Sequence, residues 1–188
     1  SGMTVAADQE PVLVEEGAEV LIQGQHIETT DDALAAMTAL TGGKINASDM
    51  SLATSGRGAY GVRVHGFGSE FNSSGELAIS TSGVGAIGLV ATADGKATVE
   101  KINVMTSGDA SVGVFAGYAD VKLGSGSITT KGQDSAGLWS YMGRIEGSNL
   151  LISTEGDRSV GIQAWAQGTS PGSADIGAST VTTLGELA

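Results

Sequence analysis

The chain has 188 residues, a net charge of −12 and no cysteine. Its acidity argues against nucleic acid and anionic membrane surfaces as partners, which call for a basic face. The absent thiols exclude a disulfide scaffold, thiol catalysis and Cys-ligated metals, although not an extracellular setting.

The opening Ser1-Gly2-Met3 reads as the remnant of an expression tag. No signal peptide is visible, and no apolar run approaches the ~18 residues of a spanning helix. Residues 11–26, with Val12, Leu13, Val14, Val20, Leu21 and Ile22, read as an N-terminal cap or an incomplete coil. The expected division is therefore 1–26 for tag remnant and cap, and 27–188 for a repeating body.

From Ile27 onward the chain repeats itself. Thr29, Thr54, Thr81, Thr106, Thr130, Thr154 and Thr183 each stand two residues before an anchor, which is Asp31 and then Gly56, Gly83, Gly108, Gly132, Gly156 and Gly185. An aliphatic residue stands two before each Thr, and the anchors are 25, 27, 25, 24, 24 and 29 residues apart. Such a period means one supersecondary unit stacked on copies of itself. Within the unit, Leu77, Ile79 and Thr81 alternate with small residues, Ile87, Leu89 and Ala91 follow, and Ala97 and Val99 begin a third run after Asp94-Gly95. Three short strands per coil predict an all-β fold, a three-sided parallel β-helix of about seven coils.

Side chains of one parity face one side of a strand. Positions four, six and eight after the anchor are therefore expected inside; examples are Ile87, Leu89 and Ala91. Ile45, Phe71, Val99, Val121, Ile145 and Ile176 supply a further interior ladder. The Thr ladder is also expected inside, its hydroxyls bonding one another or the backbone. The glycine five after the anchor (Gly61, Gly88, Gly113, Gly137, Gly161) is expected outside, at a bend. The 29-residue interval is explained by an insertion at 167–173, a surface loop.

The pattern I-x-T-x-G-x4-G-[VIL], as in ISTSGVGAIGL (79–89), VMTSGDASVGV (104–114) and ISTEGDRSVGI (152–162), resembles the passenger domains of bacterial autotransporters of the pertactin-like and adhesin-like group. That resemblance covers about residues 20–188. It implies a right-handed β-helix, export through the outer membrane by a C-terminal barrel absent here, display at the cell surface, and attachment to a host protein or glycan or to other copies. Under it, the repeats are cut short at the C-terminus, leaving an open last coil at 181–188.

Chemistry is sparse. Gly108-Asp109-Ala110-Ser111 breaks the serine-protease nucleophile pattern, and His26 and His65 lie in no triad context. Asp109, Asp134 and Asp157, with Gln133, Arg57 and Arg158, gather after the anchors. They suit turn formation first, an adventitious cation second, and the carboxylate chemistry of polysaccharide-active β-helix enzymes third. No cofactor or metal motif is present. The more suggestive cluster is aromatic: Phe115, Trp139, Tyr141 and Trp165 have outward parity in adjacent coils, with Tyr118 at the edge. Exposed apolar patches mean contact, so this face is the expected binding surface of a non-enzymatic adhesin. A self-associating module is the alternative.

Overall fold

The computed structural model describes residues 2–3 and 10–186. It is a parallel β-solenoid of about seven turns, and no described residue is helical. In chain order the strands are β1 (Gly2–Met3), β2 (Val12–Val14), β3 (Glu19–Gln23), β4 (His26–Thr29), β5 (Ala35–Leu40), β6 (Lys44–Thr54), β7 (Tyr60–His65), β8 (Glu70–Thr81) and β9 (Ile87–Thr92). There follow β10 (Lys96–Thr106), β11 (Val112–Gly117), β12 (Asp120–Thr130), β13 (Ala136–Tyr141), β14 (Arg144–Ser148), β15 (Leu150–Thr154), β16 (Val160–Trp165), β17 (Ser173–Gly177) and β18 (Thr180–Thr183).

Three faces result. Face 1 is the sheet β2-β5-β7-β9-β11-β13-β16. Faces 2 and 3 share the second sheet, because β6, β8, β10 and β12 each run through both. Face 2 is completed by β3, β14 and β17, and face 3 by β1, β4, β15 and β18. The bend between them falls at left-handed residues such as Asp49 (φ 51°), Gly75 (φ 68°) and Asn149 (φ 54°). Residues 12–23 stack in register on β5 and β6, so they form part of another coil rather than a differently shaped cap.

The core is a tube of aliphatic ladders with Phe71 as its largest fully buried side chain. Met37, Val62, Leu89, Val114 and Leu138 line face 1; Ile45, Phe71, Val99, Val121 and Ile145 line face 2; Leu52, Ile79, Val104, Ile128 and Ile152 line face 3. Ile176 is only partly buried against it. Among the described residues the tube is filled by these side chains, so function is sought on the outside.

At the corner between faces 3 and 1 one parity expectation fails and another holds only in part. The glycine five after the anchor points inward, not outward. A Cβ on Gly61 would strike the Ile79 side chain, and one on Gly88 or Gly137 would come within 2.6 Å of Val104 or Ile152. The strand pairing skips this residue: Val112 pairs with Ala136 and Val114 with Leu138, leaving Gly113 between. The local irregularity leaves the position four after the anchor unevenly covered: Ala35, Val112 and Ala136 are buried as expected, Tyr60 and Ile87 are half-buried and Val160 is exposed. Glycine is needed here because faces 1 and 3 pinch together. The left-handed turn residue lies instead two after the anchor, where Gly58, Gly85, Ala110, Asp134 and Arg158 all have φ between 52° and 70°.

The anchor glycines have a different reason. A Cβ on Gly83 would land on the backbone oxygen of Gly56, and the same collision recurs from Gly108 to Gly83, Gly132 to Gly108 and Gly156 to Gly132. Each anchor sits on the carbonyl of the one below, which leaves no room for a side chain.

The Thr ladder is buried from Thr29 to Thr154, as parity predicts, while Thr183 is exposed. Its hydroxyls do not bond as expected: Thr29, Thr54, Thr81, Thr106, Thr130 and Thr154 each hold an Oγ1 without a hydrogen-bond partner. At the coil spacing of ~4.8 Å, hydroxyls in register stand too far apart to bond one another. The bonded ladder is one of serines. The Ser111 N–H donates to Ser135 Oγ (3.2 Å) and the Ser135 N–H to Ser159 Oγ (3.1 Å).

Candidate binding face

The outsides of the three faces differ in chemistry. Face 3 presents small, mostly uncharged residues, among them Ser51, Ala78, Asn103 and Ser127 in one register column. Face 2 carries charge in strict alternation: Glu19, Lys44, Glu70, Lys96, Asp120 and Arg144 stand opposite one another from coil to coil. Lys44 Nζ lies 3.3 Å from Glu70. Slipping the stack by one coil would set like charges opposite each other, which is unfavourable in a sheet.

Face 1 is aromatic. Phe115 pairs in register with Trp139, Gly117 with Tyr141, and Tyr141 with Trp165. The rings meet edge to face: Phe115 and Trp139 at 5.1 Å between centroids, Tyr118 and Tyr141 at 5.8 Å, Tyr141 and Trp165 at 5.5 Å. This is the favoured geometry for quadrupolar rings. All five predicted aromatic residues are thus brought onto one patch, in two adjoining groups.

They are not equally exposed. Phe115 lies over Gly117, where an added Cβ would come within 2.8 Å of its ring. Phe115, Trp139 and Tyr141 are each half-buried. Trp165 and Tyr118 are the open ends, 54% and 51% exposed. Trp139 Nε1 is covered yet has no acceptor.

The carboxylates after the anchors serve the stack. Asp109 accepts the N–H of Gln133 (2.9 Å) and Asp157 that of Glu186 (3.0 Å), each in the following coil. Asp32 does the same for Arg57 (2.7 Å). Asp134 stands in a different column from Asp109 and Asp157. It takes a bidentate bond from Arg158, Nε to Oδ1 at 2.7 Å and Nη2 to Oδ2 at 2.5 Å. That bond holds the Asp134 carboxyl below the usual Asp range and raises Arg158. Among the described residues no group of three or more His, Cys, Asp or Glu is placed to hold a metal ion. Ser111 is buried and donates to the Gly83 carbonyl (3.3 Å). His26 Nδ1 lies 3.0 Å from Ser51 Oγ and His65 Nδ1 2.8 Å from Thr92 Oγ1.

Sequence reasoning missed the serine ladder and the alternating charges. No family model, curated protein or solved structure matches the chain.

Proposed function

We propose that this chain is a segment of a surface-displayed, non-enzymatic adhesin of the autotransporter passenger type, which attaches to host cells or other bacteria through the outer side of face 1. The observation that carries this reading is the edge-to-face series Tyr118, Tyr141, Trp165 on the outside of a rigid sheet, with both end rings half open to water. Exposed aromatic clusters of this kind form the centres of contact surfaces. The I-x-T-x-G repeat supports the passenger assignment, and with it a place at the bacterial surface, anchored by a barrel in the whole protein or released. The engagement of Asp109, Asp134 and Asp157 in intercoil bonds favours binding over acid–base catalysis.

The test couples the purified chain to beads and counts their attachment to epithelial monolayers and to bacterial lawns. A variant with Tyr141→Ala and Trp165→Ala should lose attachment by about 30-fold, corresponding to ~2 kcal/mol at a contact centre, with unchanged circular dichroism. Wild-type beads that attach no better than blank ones, or a variant that attaches equally well, would defeat the proposal. Clumping of the beads with one another would redirect it to self-association.

A further inference from the structure

The coils differ in length, and almost all of the difference falls at the corner between faces 1 and 2. The face 2 strands start at Lys44, Glu70, Lys96, Asp120, Arg144 and Ser173, which are 13, 14, 13, 12, 12 and 17 residues after their anchors. From there to the next anchor the count is 12 throughout, except 13 in β8. The two shortest turns, at Tyr118 and Met142, therefore lie between two longer ones. One long turn carries Phe67; the other is the loop at 166–172. The outcome is a saddle-shaped groove of about 700 Å³ running across the coils. Four coil steps at ~4.8 Å make it roughly 19 Å long.

Its walls and floor are chemically distinct. Phe67 is 87% exposed, on a turn set by Gly66 (φ 93°) and Gly68 (φ 79°). Ser69 ties that turn down by donating to the His65 carbonyl (2.8 Å) and accepting the Gly42 N–H (3.0 Å). Tyr118 stands on the short turn midway along the groove, while Pro171 belongs to the loop at its far end. The floor is a stretch of the alternating ladder, Glu70, Lys96, Asp120 and Arg144. In a chain of net charge −12, this stretch is balanced, and Asp94, which also lines the groove, adds one negative charge.

We propose that this groove binds a short, uncharged oligosaccharide lying along the solenoid axis. The volume is that of a small-molecule site, far below what a folded partner requires. An anionic ligand gains nothing here, because the lining sets Glu70, Asp94 and Asp120 against Lys96 and Arg144, and along the floor each attractive charge has a repulsive one a single coil away. A neutral polyol uses both signs: its hydroxyls donate to Asp120 and Glu70 and accept from Lys96 and Arg144. The open rings of Phe67 and Tyr118 offer apolar platforms for the C–H faces of sugar rings. The groove adjoins the attachment face proposed above and shares Tyr118 with it, but neither Tyr141 nor Trp165 lines it.

The test is an amide NMR titration of the whole chain with cellotetraose, maltotetraose and lacto-N-tetraose, and with tetragalacturonate as the acidic counterpart. At least one neutral probe should bind with Kd of about 1 mM or tighter, shifting amides around Phe67, Lys96 and Asp120. Phe67→Ala should weaken that binding at least about fivefold without changing Tm, since the ring is exposed; Trp165→Ala should leave it unchanged. The proposal fails if no neutral probe shifts these amides, if tetragalacturonate binds more tightly, or if Phe67→Ala binds as well as the wild type. Wild-type beads that attach no better than blank ones, with groove binding intact, would reject only the face 1 proposal.

Discussion

Replacing Thr106 by Val should stabilise this protein. Thr106 is fully buried and its Oγ1 has no partner. Burying a hydroxyl without a hydrogen bond costs ~1–3 kcal/mol by protein mutational measures. Valine keeps the branched shape and removes only the polar atom, so the expected gain is about 1 kcal/mol. The converse change is Ser135→Ala. Ser135 Oγ accepts the Ser111 N–H at 3.2 Å and donates to the Gln133 carbonyl at 3.2 Å. Losing it strands a buried N–H and should cost ~1–2 kcal/mol. Equilibrium urea unfolding followed by circular dichroism reads both, as opposite shifts of the midpoint at constant slope. If Thr106→Val lowered the midpoint, the hydroxyl would be bonded in solution and the orphan ladder would be wrong. If Ser135→Ala were neutral, the serine ladder would contribute nothing.

Val114→Asp puts a carboxylate between Leu89 and Leu138 and should cost several kcal/mol or force proton uptake, whereas Ser80→Asp, on the exposed side of face 3, should change Tm little. Gly132→Ala drives a Cβ onto the Gly108 carbonyl oxygen and should cost ~3 kcal/mol or more; Gly58→Ala, with open space and an alanine in the same column at Ala110, should cost only the ~1–2 kcal/mol of a left-handed backbone in the same unfolding assay. The Asp134 carboxyl is held low by Arg158, so its contribution is present above the unfolded Asp pKa and lost as pH falls through the lower folded value. Tm should accordingly begin to fall near pH ~4, and Asp134→Asn should flatten that part of the acid limb slightly, as expected of an exposed pair.

The coil count, the parallel stack and the aliphatic ladders were legible because they recur at fixed offsets from the Thr-x-Gly anchor. What alternation could not reveal was the break at Gly113 and its equivalents, where the pairing skips a residue and parity flips. Glycine there is set by an inter-face approach, and at the anchor by a carbonyl below it; a single sequence shows the residue but not which crowding demands it. The Thr ladder's burial followed from parity, but its hydrogen bonding depended on a distance between coils. The charge ladder stayed hidden because Lys44, Glu70, Lys96, Asp120 and Arg144 lie 12 to 14 residues after the preceding anchor and keep a nearly fixed distance, 12 or 13, only to the following one. The five aromatic residues were placed together by offset alone, but their unequal exposure depends on ring orientation. The groove arises from irregular turn lengths, which a search for regularity sets aside.

Because nearly every extra residue is absorbed at the corner between faces 1 and 2, that edge can change length without disturbing the ladders beneath it. Lengthening an exposed loop costs only slowly increasing closure entropy. The 166–172 segment already demonstrates this, adding five residues relative to the coil before it while β17 still pairs in register with β14. The edge is therefore a natural acceptor for foreign peptides. A sequence grafted at Thr169–Ser170 would be held out on a stiff mast while the glycine-on-carbonyl stack kept the rest of the rod in alignment.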